Sequence, residues 1–328
     1  MKPCFHVFLS AIMLLAITAC ANINSHATPS PIPRRPKIRG VFEGNTPCNT
    51  QPKPLPQIPA DSDCDQMIWS LVLYQDPQTK MPTTYALKSA FGRSKQGTND
   101  LIGGGTSIEM EGAWTITMGT KNDPNATVYQ INSEDPQTTV SFQMINDNLI
   151  HVLSHEKTLL IGNGAWSYTL NRMDNQSPRQ VNMSSPPQPP TRPPMPPMPE
   201  GSSVFGIFDG RTPCHELAIE FSKNMPLPDC LKIKWRLTLY QDKSTGAPST
   251  YLFMGTSAYR EGSWEIIRGM EGNPNAVVYR LQLDKGQQPI SFLRVDENHL
   301  FLMDRDMNLL VGNELFSYTL SRTDPDAQ

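Results

Sequence analysis

The sequence is short of several things, and each shortage excludes something. Lys and Arg number 28 against 31 Asp and Glu, a formal net charge of −3 over 328 residues. No basic run of five residues occurs; the tightest group is Arg34 and Arg35 beside Lys37 and Arg39. A chain this close to neutrality has no bulk electrostatic reason to bind nucleic acid or an anionic membrane surface. Beyond residue 20 there is no stretch of eighteen apolar residues, so no transmembrane helix is expected in the mature chain. Gly-x-Ser-x-Gly, a Walker loop and His-Glu-x-x-His are all missing, and the reading is of a non-enzymatic protein without a cofactor. Hydrophobic residues make up 38%, low for one compact globule, partly because many of the 31 prolines gather in tethers.

The N-terminus has a short positive start at Lys2 and an apolar run at 5–17 broken only by His6 and Ser10. That is the length of a signal-peptide core and too short to span a bilayer. It ends in Ile17-Thr18-Ala19-Cys20, which resembles the lipobox of bacterial lipoproteins. The resemblance implies cleavage after residue 19 and acyl chains, palmitate among them, on Cys20. Several chains anchor far more firmly than one, since each buried methylene contributes about 0.8 kcal/mol. Ala21 after the cysteine, in place of Asp, implies the outer membrane, facing the periplasm or the cell surface. The bland alternative is an ordinary secretory leader that ends near a cysteine.

Past the leader the chain is written twice. Gly40-Val41-Phe42-Glu43-Gly44-Asn45-Thr46-Pro47-Cys48 recurs as Gly206-Ile207-Phe208-Asp209-Gly210-Arg211-Thr212-Pro213-Cys214. Trp69-Ser70-Leu71 answers Trp235-Arg236-Leu237, Glu111-Gly112-Ala113-Trp114 answers Glu261-Gly262-Ser263-Trp264, and Ser167-Tyr168-Thr169-Leu170 answers Ser317-Tyr318-Thr319-Leu320. The offset drops from 166 to 150 because the first copy carries a polar, Gly-rich insertion of 16 residues around 91–105, which predicts a mobile loop between strands. The domains are therefore a signal peptide at 1–19, a tether at 20–36, a first domain at 37–173, a proline-rich linker at 174–203 and a second domain at 204–323. Roughly 16 linker residues in polyproline II, at about 3.1 Å each, would hold the domains about 50 Å apart.

In the second copy Ile233, Trp235, Leu237 and Leu239 alternate with Lys232, Lys234, Arg236 and Thr238. A period of two with one charged face predicts a strand with one face in the core. Further runs at 204–208, 251–257, 263–268, 276–283, 290–295, 299–303 and 316–322, separated by turn formers, make about eight short strands. The expected fold is all-β: two tandem small antiparallel barrels joined by the proline-rich linker, since closure leaves no exposed edges. A sandwich is the alternative, and 215–221 is the best helix candidate.

Cys4 leaves with the leader and Cys20 is the anchor, leaving two cysteines per domain. Cys48 and Cys64 are 16 apart, as are Cys214 and Cys230. Equal spacing in an exported chain reads as one disulfide per domain. The rival is a thiolate metal site on Cys48, Cys64, Cys214 and Cys230, for which no histidine recurs at matching positions. His151 and His155 read as surface residues, Met195 and Met198 as spacers, Asp76/Asp242 and Glu111/Glu261 as structural residues beside turns, and all five tryptophans as core.

A lipobox, then Gly-x-x-x-Gly-x-x-Pro-Cys, then Asp63-Cys64 or Asp229-Cys230, then an alternating strand resembles the N-terminal domain of NlpE-type copper-resistance and envelope-stress lipoproteins. Tyr168-Thr169-Leu170 and Tyr318-Thr319-Leu320 fit the closing strand. The resemblance implies lipocalin-like barrels, with copper or an envelope protein as partner and membrane attachment through the lipid. Family members carry Cys-x-x-Cys here; this chain places 13 more residues between its cysteines, which weakens direct chelation. The alternatives are a carrier of a small apolar ligand and a surface-interaction lipoprotein that uses the stiff linker for reach.

Overall fold

The computed structural model describes residues 36–324 except 52, 133, 177–195, 215–230, 255–258 and 284–287. Cys20, the signal peptide, Met195, Cys230 and the helix expected at 215–221 lie outside the described residues.

Two closed antiparallel barrels follow one another, each with eight strands in chain order. The first comprises β1 (Lys37–Pro47), β2 (Gln66–Gln75), β3 (Pro82–Gly92), β4 (Thr106–Met118), β5 (Thr127–Ile131), β6 (Val140–Asn146), β7 (Leu149–Val152) and β8 (Thr169–Arg172). The second comprises β9 (Ser202–Pro213), β10 (Lys232–Asp242), β11 (Pro248–Met254), β12 (Tyr259–Met270), β13 (Asn273–Leu281), β14 (Ile290–Arg294), β15 (His299–Leu302) and β16 (Thr319–Arg322). Among the described residues the helical content is one short turn, Ile102–Gly104.

Alternation in sequence becomes inside and outside in space. Phe42, Trp69, Leu71, Leu73, Tyr85, Trp114, Tyr129, Phe142 and Tyr168 fill the first barrel. Phe208, Trp235, Leu237, Leu239, Tyr251, Trp264, Tyr279, Phe292 and Tyr318 fill the second. A buried indole needs a partner for its N–H, and the repeats solve this alike. Trp69 and Trp235 donate to Thr46 Oγ1 and Thr212 Oγ1 at 2.9 and 2.7 Å. Trp114 and Trp264 donate to the carbonyls of Tyr74 and Tyr240, each at 2.6 Å. Trp166 departs from the core expectation: it is half-buried and lies over Arg211 of the other barrel.

Closure depends on the paired glycine motif. A Cβ on Gly44 would meet Leu170 Cδ2 at 3.0 Å, and one on Gly210 would meet Leu320 Cδ2 at 2.7 Å. The missing side chain lets β1 approach β8 and β9 approach β16. The same seam is clamped by an Arg-x-Asp pair in each copy. Asp174 accepts from Val41 N–H at 3.0 Å and from Arg172 Nε at 2.8 Å, while Arg172 also donates to the Arg39 carbonyl at 2.8 Å. Asp324, Ile207, Arg322 and the Phe205 carbonyl repeat the arrangement.

The insertion is not a bare loop. It lengthens the β3–β4 hairpin by the pairs Ser89↔Ile108, Ala90↔Ser107 and Phe91↔Thr106, whereas the second barrel's hairpin ends at Met254↔Tyr259. Phe91 and Leu101 are buried, and Ser94 bridges Leu101. Its apolar residues, spaced among polar ones, extend the ladder while the glycines turn.

The linker does not hold the barrels apart. Ser167 and Ser317, equivalent residues of the two copies, meet at 2.7 Å between their hydroxyl oxygens, and Thr169 and Thr319 meet at 2.9 Å. Equivalent residues touching each other is the mark of a twofold-related contact. Around this axis Asn171 Nδ2 donates to the Asn313 carbonyl at 2.8 Å and its Oδ1 accepts from Gly312 N–H at 2.9 Å. On the symmetry-related side Gly162 N–H donates to Ser321 Oγ at 3.2 Å. The described end of the linker, 196–199, borders a cleft with Tyr240, Leu252 and Glu261 on the second barrel.

Candidate functional site

Cys48 follows β1 and Cys64 precedes β2, and the two form a disulfide with Cα atoms 5.4 Å apart. The loop they close carries Leu55 and Ile58 into the core of the first barrel. Lys53 within that loop donates to the carbonyls of Cys48 and Ser62 at 3.1 and 3.3 Å, which ties the plug to its own staple. Thr50 hydrogen-bonds the Tyr168 hydroxyl at 2.7 Å; burial pushes that phenol up to about 12, although the Thr50 bond pulls the other way. Cys214 is disulfide-bonded as well, and its expected partner Cys230 lies outside the described residues. In this oxidised form Cys48 and Cys64 present no thiolate to a metal. Among the described residues, no group of three or more His, Cys, Asp and Glu side chains is placed to hold one.

Asp76 and Asp242 sit at turns, as the sequence reading expects. Asp76 accepts from Gln78 N–H and Thr79 N–H at 2.9 and 2.7 Å. Asp242 accepts from the Ser244 hydroxyl and the Thr245 N–H at 2.6 and 2.8 Å, and those bonds hold it down to about 2. Glu111 and Glu261 are exposed, but they lie within β4 and β12, paired opposite Ala86 and Leu252, and not beside turns as expected. Met198 is exposed too.

His151 is the main correction at the level of single residues. Its strand position predicts a surface role, yet it is fully buried where the barrels meet. Its ring lies 4.7 Å from that of His299, edge to face. Both Nε2 atoms meet one oxygen, the Leu160 carbonyl, at 2.9 and 3.0 Å. A carbonyl only accepts, so each Nε2 carries a proton. His151 Nδ1 is left to accept from the Thr169 hydroxyl at 2.9 Å, and His299 Nδ1 faces Asp296 Oδ1 at 2.7 Å. Burial, with His299 alongside, pushes His151 down to about 3 and keeps it neutral. His155, by contrast, is exposed as expected. It borders a cleft of about 260 Å³ with Lys53, Val140, Leu153 and Lys157.

Sequence reasoning passes over three things that organise this region: His299, Asn171 with its partners across the axis, and the Arg-x-Asp clamps. The clamps had a visible mark, because Tyr-Thr-Leu-x-Arg-x-Asp occurs in both copies. The other two had none, since the partners that give them their role, Leu160 and His151 for His299 and Gly312 and Asn313 for Asn171, belong to the neighbouring barrel.

The family model of the NlpE N-terminal domain matches residues 221–313. The matched stretch runs through most of the second barrel and includes Cys230 but begins after Cys214, so it rests mainly on the strand pattern. No curated protein and no solved structure matches the chain. The second half of the chain thus carries an NlpE-like domain, and the first half repeats its eight-stranded barrel.

Proposed function

We propose that the protein is a non-enzymatic lipoprotein of the outer membrane, anchored through acyl chains on Cys20, that serves copper homeostasis or envelope-stress sensing. The observation that carries this reading is the NlpE-like domain at 221–313, on a barrel present twice. The disulfide supplies a physical route. Cys48 and Cys64 close the loop whose Leu55 and Ile58 plug the first barrel. Reduction would free two thiols, which suit Cu(I), and would loosen the plug at the same moment. Copper or reductive stress would then be read as a change in one end of the barrel.

The two other readings lose ground for stated reasons. A carrier of an apolar ligand needs space, and both interiors are filled with Trp, Tyr and Phe side chains. A reach mechanism needs separated domains, and these barrels are hydrogen-bonded to each other.

The test is Cu(I) titration of the mature protein with and without a thiol reductant, with free thiols counted in parallel. Binding that appears only with reductant, and vanishes in the Cys48→Ser/Cys64→Ser protein, supports the thiol route. No binding under either condition overturns it. Intact-mass analysis of protein from the native host tests the anchor: the expected product begins at Cys20 and carries acyl mass, and an unmodified Cys20 contradicts it.

A further inference from the structure

The outer face of β9 and β10 carries positive charge that no described group neutralises. Arg211 on β9 is the register partner of Lys234 on β10, with Lys232 on the same strand facing Pro213. Like charges opposite one another on neighbouring strands repel. The adjacent carboxylate, Asp209, is already taken: Arg236 holds both its oxygens at 3.0 and 2.8 Å, and the Thr323 hydroxyl adds a third bond at 2.7 Å. Neither Arg211 nor Lys232 has an ion pair among the described residues.

These cations are also partly withdrawn from water. The Arg211 guanidinium lies 5.8 Å over the ring of Trp166, which comes from the first barrel. Lys232 Nζ lies 5.2 Å from the ring centre of Phe316. Trp166 and Phe316 are equivalent residues of the two repeats, so the aromatic frame is built from both barrels. Arg211 Nε is buried without a hydrogen-bond partner among the described residues. Burial lowers the pKa of Arg211, and burial together with the charges of Arg211 and Lys234 lowers that of Lys232.

Nothing in the barrel requires this. At the matching positions the first repeat has Asn45, Gln66 and Ile68, all neutral, and its β1–β2 ladder forms through the same pairs. A charge cluster with no counter-charge among the described residues, its Arg211 and Lys232 partly buried and its Lys234 exposed, and which the fold can do without, points to a ligand. We propose that Arg211, Lys232 and Lys234, framed by Trp166 and Phe316, bind a phosphate group at the junction of the two barrels. Three positive charges exceed what one carboxylate balances, whereas a phosphate carries up to two negative charges and more acceptor oxygens. The planar Arg fork gives two parallel bonds and the lysines add point charges. The phosphate can come from a free anion or from a lipid headgroup.

The test uses the full mature chain with Cys20→Ser, so that the acyl anchor does not itself bring the protein to vesicles. Thermal melting and tryptophan fluorescence are followed against inorganic phosphate, with chloride holding ionic strength constant. The expected result is a saturable rise in Tm and a fluorescence change from Trp166. Arg211→Asn/Lys232→Gln, which installs the first repeat's own residues, is expected to fold and to lose both responses. Arg211→Lys, which keeps the charge but not the fork, is expected to bind about tenfold more weakly. Co-sedimentation with phosphatidylglycerol vesicles, against phosphatidylcholine, separates the sources. Capture that depends on Arg211 assigns a lipid headgroup, and a response to inorganic phosphate alone assigns a free anion. No saturable response to either probe, or an equal response in the double variant and in Arg211→Lys, overturns the proposal.

Discussion

The two barrels agree inside and differ outside. Both bury the same tryptophans with the same hydrogen-bond acceptors, close β1 on β8 and β9 on β16 over a glycine, and clamp that seam with Arg-x-Asp. On the outer faces the likeness ends: the first copy has Asn45, Gln66 and a lengthened β3–β4 hairpin, and the second has Arg211, Lys232 and a short one. Duplication has kept what packing and closure demand and released what they do not.

The sharpest way to break the comparison is to remove its shared interior. Trp69→Ala and Trp235→Ala are each expected to cost about 3–5 kcal/mol, as large-to-small changes of buried aromatics do. Trp69 should sit at the upper end, because it packs in one cluster with Cys48, Leu55 and Ile58. Denaturant melts of both variants check this, and a Trp235→Ala loss clearly above that of Trp69→Ala would undo the ranking.

The disulfide comes next. Opening a loop of 16 residues is worth about 3 kcal/mol in the chain-entropy model. Cys48→Ser/Cys64→Ser should lose about that much, with the earliest exposure in the segment around Leu55 and Ile58. Hydrogen exchange locates it; uniform loss over the whole barrel would mean that the loop is not a separate plug.

Acid should act where the barrels meet. His151 is held neutral in the folded chain at about 3, against 6.5 for the free group. The unfolded chain therefore binds the proton first, and the stability linked to His151 is complete above about pH 6.5 and is lost as pH falls towards 3. Between pH 6.5 and 4 this amounts to roughly 3 kcal/mol. His151→Phe, which places the second repeat's Phe301 at the matching position, should cost about 1–2 kcal/mol at neutral pH through the lost hydrogen bonds and flatten the acid limb. An unchanged acid limb would show that His151 does not carry it. A smaller effect belongs to Asn171→Ser, which installs the counterpart residue Ser321. One hydrogen bond to Gly312 N–H or the Asn313 carbonyl is lost, for about 1 kcal/mol.

Much of this was legible in the sequence. The alternation of Ile233, Trp235, Leu237 and Leu239 marks β10, and the spacing of Cys48 and Cys64 marks the staple of the first barrel. The glycine motif is visible as a landmark but not as a seam, because the residues it must avoid, Leu170 and Leu320, are distant in sequence and adjacent only after closure. His151 illustrates a different limit. A polar residue on the outward face of an alternating strand reports that its neighbour is not the barrel's own core. The pattern is the same whether that neighbour is water or a second barrel. The linker misleads for a related reason: proline content fixes how far a segment can reach, and the affinity of Ser167, Thr169 and Asn171 for their counterparts decides how far it does.

The central claim is that the barrels form one packed pair about a twofold axis instead of two tethered bodies. Ser167 and Ser317 lie on that axis with their oxygens 2.7 Å apart. In the full chain with Ser167→Cys and Ser317→Cys, mild oxidation is the most direct measurement. The packed pair predicts near-complete intramolecular 167–317 disulfide, seen by peptide mapping, at any protein concentration. Persistent free thiols at 167 and 317, or cross-links that form only between chains, would contradict it.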